Sequence, residues 1–301
     1  MLQRMSAPID SHLHVWSSGA TPYQWTTAPP ADLQSNCQGK DLVQVLKDAS
    51  VAGALIVQPI NHLYDHSYIS SVMNNPEFVG RFKGMALMNP TLSISEGSSY
   101  INERKKEGFV SIRFNPYLWP EGELMSDERG ASFYATAGDL KLPVAFMCFQ
   151  GLPLHYTDIV TLLKAYPSTT AIIDHWGFFK QEGKMDENSW KQLISLASYS
   201  QVYVKVSALF RVSLEEWPYM DLDAKFVELK EAFGADRLLW GSDYPYVTQE
   251  CGYKQAISAL SQWKKSEVLN EDEWKLIFRG TAESLFGPWV DHSCDVQSSK
   301  A

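Results

Sequence analysis

A single (β/α)8 TIM barrel is the fold class this sequence predicts, and three observations predict it. Eight short apolar runs recur along the chain, stretches of helical period lie between them, and chemistry-bearing residues gather where the runs end. The runs fall at 8–16, 53–59, 82–89, 109–115, 143–149, 170–175, 202–207 and 237–243. Each is rich in residues that suit buried strands. Between them, 41–49 places Leu42, Val45, Leu46 and Ala49 on one helical face. The same spacing recurs with Ile159, Leu162 and Leu163 in 156–166, and with Leu193, Ile194 and Ala197 in 190–197. It recurs again with Phe226, Val227, Leu229 and Phe233 in 222–233. Gly108 and Gly234 follow helical stretches as C-caps. Strands alternating with helices call for a parallel sheet, and eight of them close a barrel. An open doubly wound sheet is the alternative, but no GxGxxG follows the first run. One domain over residues 1–290, with a polar, frayed tail at 291–301, is the simplest organisation.

Composition narrows the function classes. The 301 residues are 45% hydrophobic and 20% charged, which fits a packed chain rather than a disordered one. No run approaches the roughly 20 apolar residues of a membrane span. The net charge of −9 argues against nucleic acid as a partner. Cys37, Cys148, Cys251 and Cys294 lie far apart and form no CxxC. Free thiols in a reducing, cytoplasmic compartment are therefore expected, with Cys148 an inert buried thiol. Residues 1–8 lack the apolar stretch of a signal peptide.

A barrel carries its site at the C-terminal ends of its strands. The first run ends in Asp10-Ser-His12-Leu-His14. Histidines two apart on a strand face the same side and can hold one divalent metal. The sixth run ends in Asp174-His175-Trp-Gly177, and the eighth in Trp240-Gly-Ser-Asp243-Tyr-Pro245. Asp243 can serve as a ligand, a general base or both, or cap a turn before Pro245. Each residue alone has a structural explanation. Their coincidence at three strand ends favours a site.

The substrate side is read from the remaining strand ends and loops. Arg113 alternates with Ser111 and Asn115 in the fourth run, where a lone charge needs a partner or a function. It grips a substrate carboxylate with Asn115, or it pairs with a neighbouring acid. Lys205, alternating with Tyr203 and Ser207, invites the same reasoning, and Arg211 just beyond is a further anion contact. The long loop 16–41 carries Trp16, Tyr23 and Trp25 and reads as an aromatic lid. Tyr244, beside Asp243, is expected to touch substrate. His62 and His66 are expected as polar surface residues.

Together, IDSHLHVW, IIDHWG and LLWGSDYP resemble the amidohydrolase superfamily, and within it the amidohydrolase-2 branch of lactonases and decarboxylases. TPYQW, GALIVQP, GFVSIRFNP, VYVKVSAL and FGADRLLWGSDYP extend the resemblance from about Pro8 to Phe286. GALIVQPINH, RFNPYLWP and SALFRVS look like plant members of the branch. The resemblance implies a barrel with zero, one or two metals. It implies His12, His14 and His175 as metal-side ligands, and Asp243 as the water-activating base and a ligand.

Two-metal members carry a Lys or Glu at the end of strand four and a further His at the end of strand five. Here Arg113 and Asn115 stand at the first position, and Met147-Cys148-Phe149-Gln150 at the second; His155 comes a few residues later. One zinc or manganese ion is the first expectation. A metal-free site, with the histidines donating hydrogen bonds to a carbonyl oxygen, is the second.

Three functions follow. The first is a hydrolase that opens a lactone of a sugar acid or dicarboxylic acid. The second is a metal-dependent non-oxidative decarboxylase of an aromatic or unsaturated acid. Ile9 and Asp10 weigh against it, since they stand where decarboxylases often carry a Glu or Cys. The third is a binding protein on a retired barrel, which the intact His12, His14, His175 and Asp243 set opposes. The expected partner is a small, anionic substrate, with no nucleic acid or membrane; homo-oligomerisation is left open.

Overall fold

The structure is a computed structural model and describes residues 6–35, 37–263 and 269–290. The first six barrel strands are β1 (Ile9–Leu13), β2 (Gly53–Val57), β3 (Phe82–Leu87), β4 (Phe109–Phe114), β5 (Val144–Phe146) and β6 (Ala171–Ile173). A small antiparallel hairpin follows, β7 (Lys180–Gln181) and β8 (Lys184–Met185), and then β9 (Val202–Ser207) and β10 (Leu238–Gly241). The eight long-sheet strands are parallel and lie in chain order β1-β2-β3-β4-β5-β6-β9-β10. The ring closes between its first and last members. Leu13 bridges Tyr244 in parallel, Asp243 N donates to His12 O at 2.8 Å, and His14 N donates to Tyr244 O at 2.7 Å. The expected single (β/α)8 barrel is the fold found.

Every apolar run contains a strand, usually trimmed at its C-terminal end. The run 143–149 shortens to Val144–Phe146 because the chain beyond it turns outward to line the barrel mouth. The helices are α1 (Gly39–Asp48), α2 (Ser67–Met73), α3 (Ile94–Lys106), α4 (Glu128–Asp139), α5 (Tyr156–Ala165) and α6 (Glu187–Ser195). They continue with α7 (Leu209–Val212), α8 (Asp223–Phe233), α9 (Tyr253–Gln262), α10 (Glu271–Lys275) and α11 (Thr281–Phe286). The periodic stretches correspond to α1, α5, α6 and α8. Helix α3 buries little beyond Gly97 and Ile101, so its apolar stripe is thin. It is fixed instead by a capping box: Ser93 Oγ accepts from Glu96 N, and Glu96 Oε2 accepts from Ser93 N. The tail 291–301 and Cys294 lie outside the described residues. Among those described, Cys37, Cys148 and Cys251 are free, and no helix is long and apolar enough to cross a membrane.

The barrel interior is layered. Ile9, Leu55, Val57, Met85, Ala145, Ile172 and Leu239 form an apolar layer, joined by Phe286 and Trp289. Toward the C-terminal ends the interior turns polar, with His12, Arg113, Asp174, Lys205 and Ser207 all buried. A register shift between Asp10 and Leu13 in β1 re-aims the strand where the histidines begin. Gly241 lets β10 approach: a Cβ there would lie 2.9 Å from both the N and the Cβ of His12. His62 and His66 are not surface residues; they are 1% and 2% exposed. Each serves as a buried acceptor, His66 Nε2 for Leu87 N at 2.9 Å and His62 Nε2 for Ser17 N at 3.3 Å.

Asp10 pins the seam. Its Oδ1 accepts from His12 N and Ser242 N, each at 3.0 Å, and its Oδ2 accepts from the Tyr253 hydroxyl at 2.8 Å. Burial pushes its carboxyl up to about 6, against the hydrogen bonds from Ser242, His12 and Tyr253. An acid harder to ionise in the fold than in the open chain removes stability as pH climbs between its two pKa values. The loss runs from the ordinary value of 3.8 to about 6 and is on the order of 3 kcal/mol. Asp10→Asn keeps the neutral shape and should flatten this decline, read by urea denaturation from about pH 4 to 7. Asp10→Ala strands three donors and should cost about 3 kcal/mol or more throughout. An unchanged pH slope in the Asn variant would contradict the assignment.

Candidate active site

His12 belongs to β1 and His14 follows it; His175 follows β6; Asp243 follows β10. The chain strains to present two of them. His175 and Asp243 adopt φ of +49° and +61°, a left-handed backbone that costs non-glycine residues about 1–2 kcal/mol. Trp176, Gly177 and Phe178 share that conformation, so the chain turns sharply at the end of β6.

Three of the four converge on one point. Asp243 Oδ1 lies 3.5 Å from His14 Nε2 and 4.0 Å from His12 Nε2. One ligand atom from each of His12, His14 and Asp243 falls within 4.8 Å of the others, with all three residues buried. His14 Nδ1 lies 2.9 Å from the Val57 carbonyl and donates to it, which leaves Nε2 with its lone pair toward the group. His12 Nε2 is buried and has no hydrogen-bond partner. An orphaned imidazole nitrogen beside a second one and a carboxylate is a donor set that fits a divalent cation. His175 stands next to this group rather than in it. Its ring lies 4.2 Å from the His12 ring, and its Nδ1 is 2.8 Å from Ser207 Oγ.

A buried ion cluster underlies the group. Asp174 is fully buried, with Lys205 Nζ at 3.1 Å, Arg113 Nε at 3.2 Å and His12 Nδ1 at 3.4 Å. Burial opposes ionisation of Asp174, yet Lys205, His12 and Arg113 together hold it well below the usual carboxylate range. Burial, reinforced by Lys205 and His175, holds His12 well below its ordinary value, so the ring is neutral. Burial also brings His175 down to about 3, against the pull of Asp243 and Asp174. For Asp243 burial works upward, but Arg211, His14 and His175 outweigh it and keep the carboxyl far below its ordinary value. Arg211 Nε donates to Asp243 Oδ2 at 2.6 Å.

Above the group opens a cavity of about 360 Å³. Its polar lining includes His14, His175, Asp243, Arg113, Asn115 and Arg211. Its apolar lining includes Ile60, Met147, Phe149, Phe178 and Tyr246.

The amidohydrolase family model matches residues 9–287. The chain belongs to this family. It is 25% identical over 296 residues to an L-fucono-1,5-lactonase of Burkholderia ambifaria, covering 92% of this chain and 94% of that one. It is 34% identical over 248 residues to a 4-sulfomuconolactone hydrolase of Rhizobium radiobacter, covering 79% of this chain and 75% of that one. Its fold matches a crystal structure of an amidohydrolase from Burkholderia multivorans with bound zinc. The TM-score is 0.69 at 16% identity, over 93% of this chain and 99% of that one.

In this amidohydrolase the expected substrate-side residues divide. Arg113, Asn115 and Arg211 line the cavity. Lys205 does not, because it is fully buried beneath it against Asp174 and His12. Trp16 and Tyr244 are also corrected: they are 0% and 2% exposed and stand off the cavity. Trp16 donates to the Leu33 carbonyl at 2.9 Å, and Tyr244 packs against Tyr253. Tyr23 packs on Tyr68 of α2, and Trp25 donates to the Ser17 carbonyl, so neither ring lines the cavity. His155 packs edge-on to Tyr117 and is no part of the metal-type group. Asp174 was legible as a neighbour of His175 but not as the hub of a charge cluster. Tyr246 and Phe178 carried no signal beyond proximity to Asp243 and His175.

Arg211→Met should release the Asp243 carboxyl upward, toward the ordinary carboxylate range. Carbon-13 NMR of the carboxyl across acidic pH would read the shift. A signal that ionises where the unaltered protein's does would contradict the part assigned to Arg211.

Proposed function

We propose that this amidohydrolase opens a small anionic lactone with water, the ring yielding a hydroxy acid of sugar-acid or dicarboxylic type. One observation carries the proposal. His12 Nε2, buried and unpartnered, converges with His14 Nε2 and Asp243 Oδ1, two residues that line a cavity also presenting Arg113 and Arg211. The lactonase and the lactone hydrolase among its relatives support the bond class. A divalent ion held by His12, His14 and Asp243 would polarise the ester carbonyl and ready a water at neutral pH.

The chain's own groups divide the remaining work. Asp243 takes the proton of the attacking water. His175, tied through Nδ1 to Ser207, offers its other ring nitrogen to the carbonyl oxygen. Arg113 and Asn115 hold one end of the substrate. Arg211 is partly exposed and faces the cavity while it pairs with Asp243. A substrate carboxylate competes for that guanidinium, and as the pair loosens Asp243 regains basicity. Phe149, Phe178 and Tyr246 keep water off the apolar face of the ring. We assign the enzyme to the cytoplasm, where Cys37, Cys148 and Cys251 stay reduced.

A panel of sugar-acid and dicarboxylate lactones, run beside aromatic acids, tests the proposal. Acid release from a lactone without CO2 is expected; CO2 from an aromatic acid with no lactone turnover would contradict it. Asp243→Asn should lower kcat about 10²–10⁴-fold with an unchanged circular dichroism spectrum. Elemental analysis should find about one zinc or manganese per chain, lost in His12→Ala/His14→Ala. Near-normal turnover in Asp243→Asn would remove the base assignment.

A further inference from the structure

Beneath the cavity, a single ring nitrogen has two claimants. Lys205 Nζ lies 3.1 Å from His12 Nδ1, and Asp174 Oδ1 lies 3.4 Å from it. The same Asp174 Oδ1 is 3.1 Å from Lys205 Nζ, so the three atoms form a triangle. All three side chains are fully buried. A neutral imidazole carries one N–H, so Nδ1 either donates or accepts. Donation to Asp174 leaves Nε2 with its lone pair. Acceptance from Lys205 puts the proton on Nε2, the nitrogen that faces His14 and Asp243. An N–H pointing into that group bars a cation.

We propose that Lys205 is a positioning residue that governs how readily the site takes a divalent cation, by contesting His12 Nδ1 with Asp174. The inference rests on the metal reading given above. His14 faces no such contest, because its Nδ1 is committed to the Val57 carbonyl at 2.9 Å. One histidine is therefore preset as a ligand and the other is conditional. Arg113 Nε, 3.2 Å from Asp174 Oδ2, anchors the carboxylate in both arrangements. The exchange then needs only a small displacement of the lysine head and a change of ring tautomer. As the cation enters, the ring proton moves from Nε2 to Nδ1, and His12 releases no net proton. In the other arrangement Nε2–H is a hydrogen-bond donor to a carbonyl oxygen, so the same three residues also prepare the metal-free form of the site.

Nitrogen-15 NMR of histidine-labelled protein, stripped of metal by chelation and then titrated with zinc, tests this. Ring nitrogen shifts separate protonated from bare nitrogens. His12 should be protonated on Nε2 without metal and on Nδ1 with zinc, while His14 keeps its proton on Nδ1 throughout. Lys205→Met should tighten the zinc Kd and Asp174→Asn should weaken it, each by about 10–100-fold. If Lys205→Met does not fold, Lys205→Gln keeps a hydrogen bond to Asp174 and should shift zinc affinity in the same direction. A His12 already protonated on Nδ1 without metal, or a loss of zinc affinity in both substitutions, overturns the inference while leaving the metal reading intact. Zinc that perturbs neither His12 nor His14 overturns both.

Discussion

The barrel closes on a hydrogen-bonded seam between residues some 230 positions apart, and the site is assembled by that closure. Asp243 N reaches the His12 carbonyl, His14 N reaches the Tyr244 carbonyl, and Asp10 ties His12 N to Ser242 N. The first and last strands are thereby locked in register at the level of His12, His14 and Asp243. Were the seam to slip by one residue, each strand's side chains would exchange faces, and the histidines would no longer meet Asp243. Gly241 belongs to the same constraint, since a side chain there would collide with His12.

Below the seam the molecule accepts costs that a purely structural barrel would avoid. A carboxylate, an ammonium, a guanidinium and an imidazole lie together out of water around Asp174. Desolvating such groups is expensive, and well-packed apolar residues often do as well or better for stability. The left-handed backbone at His175 and Asp243 adds strain at the same level. The apolar layer and the two aromatics beneath it, Phe286 and Trp289, hold the ring together independently of these groups. Stability and chemistry thus occupy different depths of one barrel, as expected when active sites sit at the C-terminal face.

Much of this was legible in the sequence because strands announce themselves by composition and barrels place their chemistry at strand ends. His12, His14, His175 and Asp243 stand at such ends, and the fold follows from counting alternations. The substrate side was less legible, for physical reasons. Lys205 reads like Arg113, a charge in an apolar strand, and only the three-dimensional neighbours show that one lies under the floor and the other lines the wall. Trp16 and Tyr244 sit at suggestive positions, but a loop's conformation decides whether a ring covers the mouth or joins the core. Helix α3 has only a thin apolar stripe, and its capping box is the stronger local signal. Nothing in residue spacing shows that Asp174 gathers three partners, because those partners come from three other strands.

We propose that water adds to an ester carbonyl above His12, His14 and Asp243. Turnover of a lactone in oxygen-18 water, followed by mass spectrometry of the product, tests it most directly. Addition at the carbonyl places the label in the new carboxylate and none in the released hydroxyl. Label in the hydroxyl would mean attack at the alkyl carbon and would contradict the account.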